Sequence, residues 1–249
     1  MKDKKFVLKA ALLVTAMAGF ALTGSASVTS DSTLQQDIQG KLKNKEFKQV
    51  SVESKNGIVT LTGTVDKYQA KVDAEKKARK IANVKEVDDQ IQVSGKQIPD
   101  AELQAKLNRK LAYDRIGYGH VFNSVVATVN DGVVTLDGEV RWQPDKDSAL
   151  ALVDYQDGVK DVVDRIKILP TSFSDDELRA REFRALYGDV SLGRYGTDPA
   201  MPIRIVVNNG HVTLYGTVQS QADKNIAGIR ANGVFGAFSV ENKLVVSKG

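Results

Sequence analysis

The groupings in this chain that invite a chemical reading are two histidines, two adjacent carboxylate pairs and two glycine-spaced loops. A metal centre needs several His, Asp, Glu or Cys side chains brought together, and general acid–base work needs a titrating group beside a partner that tunes it. His120 lies in Gly117-Tyr118-Gly119-His120 with no second histidine near it. His211 follows a hairpin-turn signal, at a position held by Ile58 and Val133 in two sister segments. Asp88-Asp89 falls in an edge-like strand, and Asp175-Asp176 in the first turn of a helix, where negative charge complements the helix dipole. Neither pair has a base or metal partner within sequence reach. Gly117-x-Gly119 and Gly193-x-x-Gly196 do not join a strand to a helix with the spacing of a phosphate cradle. The chain has no cysteine, which excludes disulfides, thiolate metal sites and a lipid-modified N-terminal cysteine. The expectation is a protein that is not an enzyme and holds no cofactor and no metal.

These residues hang on a unit written three times. Gly57 to Val65, Gly132 to Val140 and Gly210 to Val218 share Gly-x-Val-Thr-Leu-x-Gly-x-Val, with six of nine positions identical. Upstream of each stands Asp-x-x-Leu, at Asp31/Leu34, Asp100/Leu103 and Asp175/Leu178. Leu34, Ile38 and Leu42, like Leu103, Leu107 and Leu111, recur at the spacing of one buried helical stripe. The third copy keeps Leu178 and Leu186 and shifts an anchor to Phe183; its Ser174-Asp175-Asp176-Glu177 predicts a capping box. Alternating strands then run into Asn56-Gly57, Asp131-Gly132 and Asn209-Gly210, dipeptides suited to a tight hairpin. In the return strand, Gly63, Gly138 and Gly216 share a face with the buried Val and Leu, which predicts close approach of the second helix, with its Ala74/Ala78, Ala149/Val153 and Ala227/Ala231. Asn83, Gly158 and Gly236 mark a further matched point before the last strand. The predicted class is α+β: three tandem αββαβ modules, each a small three-stranded sheet with two helices on one face. Their expected bounds are 30–96, 99–170 and 174–248.

These motifs, with Gly158 to Ile168 reading Gly-Val-Lys-Asp-Val-Val-Asp-Arg-Ile-Lys-Ile, resemble the BON family, named for the osmotically inducible periplasmic protein Y and nodulation-type bacterial proteins. The resemblance covers nearly the whole chain after its first thirty residues. It implies an αββαβ fold in periplasmic or outer-membrane-associated proteins, without enzymatic activity. It also implies binding or protection of phospholipid membranes, with chaperone-like activity as the other known theme. Copy 1 departs from the family in having Asn83 where Gly is favoured, and copy 3 in having Ala237 in place of Val.

Residues 1–27 read as a secretory signal peptide: a Lys-rich start, an apolar run from Phe6 to Leu22 and small residues to Ser27. A retained membrane anchor is the other reading of this segment. Cleavage after Ala26 or Ser27 places the protein in the periplasm, peripheral to a membrane at most. The net charge of +4 then falls, because residues 1–27 hold four of the 35 basic and one of the 31 acidic residues. That near balance argues against a nucleic-acid partner.

Charge is uneven among the copies, with 13 basic against 10 acidic residues in the first. Lys71, Lys76, Arg79 and Lys80 on its second helix are the candidate lipid-facing residues, for an anionic phospholipid surface under osmotic or envelope stress. A merely solvated helix face is the plainer reading of the same stripe. Asp73–Lys77 and Glu75–Arg79 are spaced to pair on that helix. The stretch between the first helix and the hairpin is longer in copies 2 and 3 and rich in aromatics. Tyr113, Tyr118, Phe122, Trp142, Tyr187 and Tyr195, accompanied by Ile116, Leu192 and Met201, form either a patch for a membrane interface or for other envelope proteins, as in a chaperone or scaffold, or the packing between copies 2 and 3, with Trp142 a membrane-interface tip or a cap over its own core.

Overall fold

Each hairpin dipeptide puts two successive residues in the left-handed region: φ is 56° and 80° at Asn56-Gly57, 56° and 77° at Asp131-Gly132, and 50° and 78° at Asn209-Gly210. This matches the twist of the flanking strands, and the rest of each module is built around the hairpin so formed. The computed structural model describes residues 25–113, 121–197 and 202–247, with side chains from residue 31 onward. Residues 1–24 of the expected signal peptide lie outside the described residues, as do Ile116, Gly117, Tyr118, Gly119, His120 and Met201.

Module 1 runs α1 (Ser25–Lys41), β1 (Val50–Lys55), β2 (Ile58–Val65), α2 (Tyr68–Arg79), β3 (Glu86–Asp89) and β4 (Gln92–Val93). Module 2 runs α3 (Asp100–Tyr113), β5 (Ser124–Asn130), β6 (Val133–Val140), α4 (Gln143–Asp154) and β7 (Asp161–Ile168). Module 3 runs α5 (Phe173–Tyr187), β8 (Arg204–Asn208), β9 (His211–Tyr215), β10 (Thr217–Val218), α6 (Gln221–Asn232), β11 (Ser239–Asn242) and β12 (Val245–Val246). In every module the hairpin's return strand, β2, β6 or β9, is central, antiparallel to the strand before it and parallel to a later one. The parallel pairing requires a crossover, which the second helix supplies. The αββαβ reading therefore holds in all three copies.

The cores follow the repeat. Ile38, Leu61, Ala74 and Ala78 are fully buried in module 1, as are Leu107, Leu136 and Val153 in module 2 and Leu186, Leu214, Ala227 and Ala231 in module 3. A stripe of Ala on the second helix lets it lie close on the sheet.

Three local expectations change. Gly138 has φ +149°, and a Cβ there would overlap the carbonyl oxygen of Ser124; Gly63 (φ +110°) faces the carbonyl of Gln49 in the same way, and Gly216 that of Pro202. The repeated glycine thus accommodates the backbone of the neighbouring chain in the hairpin, rather than the second helix. Helix α5 is capped by Ser172, whose Oγ accepts from Asp175 N at 3.2 Å, so the expected Ser174/Glu177 box does not form. The helix starts at Phe173, which puts Ser174 inside its first turn and not at the cap, and the Asp175 carboxylate accepts from Asn209 N and Gly210 N, both at 2.8 Å. Asp31 holds Asn56 N and Gly57 N, and Asp100 holds Asp131 N and Gly132 N, in the same manner. The Asp of each Asp-x-x-Leu is a clamp from the first helix onto the hairpin turn. Lastly, Asp73 accepts from Gln69 Nε2 and Lys77 pairs with Glu46 at 3.8 Å, so the expected Asp73–Lys77 pair is absent; Glu75–Arg79 forms at 2.6 Å.

Candidate functional site

Among the described residues, the groups that invited a chemical reading are occupied by structure. His211 is exposed, its Nδ1 2.8 Å from Ser239 Oγ and its ring edge-on to Phe238. Asp89 accepts from Ile91 N at 2.9 Å, a turn that Asp164 makes on Ile166 and Asn242 on Leu244. Asp176 bridges Arg179 and, across the module boundary, Arg141. Gly193–Gly196 is a 3-10 turn. Among the described residues no group of three or more His, Cys, Asp or Glu could hold a metal ion, and no helix is long and apolar enough to cross a membrane.

The four residues of the candidate basic stripe on α2 stand in four different surroundings. Lys76 lines a groove of about 400 Å³ between α2 and module 2, with Tyr68, Leu150, Val162 and Asp154. Burial pushes the Asp154 carboxyl up to about 6, with Lys76 drawing it down and Asp73 raising it. Arg79 is held by Glu75. Lys71 is half-buried beside Asp89, while Lys80 is exposed at the helix end. A further ion pair, Lys67–Asp157 at 3.1 Å, ties module 1 to module 2.

The aromatic candidates separate as well. Phe122, contributed by the segment before β5 of module 2, is 1 % exposed inside the core of module 3, 6.3 Å from the ring of Phe183. Arg141 seals this joint: it stacks over Phe122 and Trp142 and pairs with Asp176 at 2.5 Å. Arg204 Nη1 donates to Asn123 O across the same boundary. Tyr187 packs on Phe183 and donates to Ile203 O, and Tyr195, 2 % exposed, donates to Asp223 and accepts from Gln219 N. Tyr195 belongs to the core of module 3, and Tyr187 packs against that core from its margin. Tyr113 and Trp142 remain about half exposed and are not brought together with them.

The apolar surface that does converge was not among the sequence candidates. Phe173, Phe235 and Phe238 are 80 %, 90 % and 79 % exposed. Phe238 donates its N–H to Gly210 O, and its ring lies over Gly210. Phe235 stands three residues earlier in the same loop, and Phe173 opens α5, the helix that Asp175 fastens to that turn. All three sit at the hairpin-turn end of module 3. Comparing copies would have found them. Phe173 corresponds to Ile98, Phe235 to Ala82 and Asp157, and Phe238 to Lys85 and Lys160. In module 2 the same end is covered, Ile98 lying against Gly158 and Lys67 on Asp157.

A second missed residue is Glu182. It occupies the middle of the buried stripe, where the other copies have Ile38 and Leu107, and is fully buried with no hydrogen-bond partner on either carboxylate oxygen. Burial pushes its carboxyl from 4.5 up to about 8, against the pull of Arg181. The expected shift to Phe183 is half of this arrangement: Phe183 packs against the core from its margin while Glu182 takes the central position.

Among solved structures, the chain is similar to CdsD, a structural protein of the type III secretion system of Chlamydia trachomatis, at 19 % identity and a TM-score of 0.23, over 87 % of this chain and 93 % of that one. It is also similar to the periplasmic domain of the type III secretion inner-membrane protein PrgH from S. typhimurium, at 11 % identity and a TM-score of 0.18, over 85 % and 99 %. At such TM-scores neither likeness carries an argument about arrangement or role. No curated protein matches the chain. The BON domain model matches residues 30–95, 99–170 and 191–248, most of the chain and all three hairpins, and by that match the chain belongs to the BON domain family.

Proposed function

We propose that this chain is a non-catalytic, periplasmic envelope protein that attaches reversibly to phospholipid surfaces, in osmotic or envelope stress protection, and that module 3 makes the apolar contact. The observation that carries the reading is the convergence of Phe173, Phe235 and Phe238 on one end of a folded module, each at least 79 % exposed. Aromatic side chains on a rigid tip partition into the interfacial region of a bilayer. Full withdrawal of a Phe side chain from water is worth roughly 1.5–3 kcal/mol, so three partly inserted rings support peripheral rather than permanent attachment. Lys71 and Lys80 on module 1 add a salt-sensitive attraction to anionic head groups of about 1 kcal/mol for each residue near the surface.

The second reading, a scaffold for other envelope proteins, draws on fewer free groups. Phe122, Tyr187 and Tyr195 are spent inside module 3. Strand addition to module 2 meets closed edges: Asn108 bonds both the N–H and the carbonyl of Ala127, and Gln104 accepts from Val129 N on β5. On β7, Asp164 occupies Ile166 N and Lys146 occupies Ile166 O.

Co-sedimentation with phosphatidylcholine and phosphatidylcholine/phosphatidylglycerol vesicles tests the proposal. The expected result is binding that Phe235→Ser/Phe238→Ser weakens tenfold or more on both vesicle types, and that Lys71→Glu/Lys80→Glu weakens only on the anionic ones. Binding that ignores the Phe substitutions overturns the assignment to module 3. No binding at low salt, together with suppression of client aggregation, overturns the lipid reading in favour of the scaffold.

A further inference from the structure

Why module 3 places a carboxylic acid where its sisters place Ile38 and Leu107 has no answer in packing alone. A Leu at that position would fill the same stripe without a polar group. Glu182 lies one turn from Leu178 and one from Leu186, both buried, and neither of its oxygens has a hydrogen-bond partner. A carboxylate in such surroundings is tolerated only when neutral.

The charged groups around it are few and mostly engaged. On α5 itself, Arg179 donates to Asp176 and to Val207 O, and Arg181 Nη1 lies 3.5 Å from Glu177. From α6, Asp223 is held by Ser220, Tyr195 and Arg194, and Arg230 by Asp189; Lys224 is the remaining charge on that helix. From the 3-10 turn comes Arg194, bound to Asp223, and from β8 comes Arg204, directed to Asn123 O. Arg181 is the charge that acts on Glu182, and its Nε has no hydrogen-bond partner. Its Nη2 also packs beneath Gly236, in the loop between Phe235 and Phe238.

We propose that Glu182 is a proton-operated latch: with a neutral carboxyl it keeps α5 seated on the sheet of module 3, and its deprotonation in neutral to mildly alkaline medium unseats α5 and, through Arg181, loosens the loop that carries Phe235 and Phe238. Neighbouring residues on a helix do not face each other. The ionised carboxylate therefore reaches Arg181 only if α5 distorts, and Arg181 then leaves Gly236. The sign follows from linkage. The folded carboxyl holds its proton up to about pH 8, whereas an exposed one releases it near 4.5. The stabilisation is complete below the lower value, declines about tenfold in equilibrium constant per pH unit between the two, and is gone once pH passes the upper one.

The latch bears on membrane attachment only if the reading above is right, so its test uses no membrane. Hydrogen exchange of the full chain, corrected for intrinsic rates, is followed on peptides from α5 and residues 226–238 between pH 6 and 9. The expected result is a roughly hundredfold loss of protection from pH 6 to pH 8 and a plateau above, with modules 1 and 2 unaffected. Glu182→Leu and Glu182→Gln each abolish the pH dependence. Protection that is flat in the unsubstituted chain, or that falls equally in a folded Glu182 variant, overturns the latch. A carboxyl ¹³C signal that disappears in Glu182→Gln gives an independent reading in the native sequence, and a titration midpoint below pH 6 overturns the latch too.

Discussion

Asp31, Asp100 and Asp175 perform the same task in three modules: a side chain from the start of the first helix satisfies two N–H groups of a turn more than twenty residues away. Those N–H groups lie at the tip of a tight hairpin whose own ladder leaves them free. The clamp also fixes where the helix begins relative to the sheet. Hydrogen bonds to a charged acceptor contribute roughly 1.5–3 kcal/mol each. Asp100→Ala removes two such bonds, one of them exposed and so weaker, and is expected to destabilise module 2 by about 2–4 kcal/mol, with Asp100→Asn recovering part of the loss, measured as a shift in urea midpoint. In module 1 the same bonds from Asn56 and Gly57 hold the Asp31 carboxyl below the usual carboxylate range. Stability from that clamp is present above the ordinary carboxylate pKa and is lost as pH falls through the lowered one. The Asp was legible in the sequence as part of a repeated Asp-x-x-Leu, but its purpose was not, because its partners are distant in sequence and are backbone atoms. Glu182 was equally open to view as a break in the Leu-x-x-x-Leu stripe. A carboxylate is rarely fully buried without a partner, so the stripe by itself points to a sideways shift of the anchor to Phe183.

At the scale of elements, the hairpins, helices and cores were legible because their signals are local: turn dipeptides, alternation and a stripe every three or four residues. What closes the sheet edges was not. Asn108 and Gln104 sit on the flank of α3 and satisfy the outer groups of β5, so a helix side chain does the work of a neighbouring strand. An exposed edge invites pairing with another chain. Asn108→Leu is expected to leave Ala127 N–H and C=O unsatisfied, costing about 1–3 kcal/mol per buried group, and to promote concentration-dependent association visible in light scattering. A monomer of unchanged stability would show that water satisfies this edge as well as Asn108 does. Helix α5 illustrates the converse case. The family match in module 3 begins only at residue 191, beyond α5, although α5 packs on β8 as α1 and α3 pack on β1 and β5. Buried Arg179 and Glu182 are where this helix departs from its sisters.

Taken as a whole molecule, the repeat does not make three equivalent bodies. Among the described residues, module 1 completes its core from its own side chains, Leu34 to Ile91. Module 3 does not: Val121 and Phe122, which precede β5 of module 2, lie within its core cluster, and Arg141 reaches across to Asp176. The insertion after α3 that lengthens copy 2 is what delivers Phe122 to its neighbour, so the aromatic enrichment seen in the sequence reports a junction as much as a surface. A chain of residues 28–98 should therefore fold cooperatively alone, whereas residues 171–249 alone should fold weakly, having lost a buried Phe that is worth roughly 3–5 kcal/mol when truncated to Ala in a core. Phe122→Ala in the full chain should lower the unfolding free energy of module 3 by that order while leaving the hairpin of module 2 intact. Hydrogen exchange resolved by module separates the two cases. Equal losses in modules 2 and 3 would mean that Phe122 serves its own sheet first, and that the coupling runs through Arg141 and the β5–β8 contact instead.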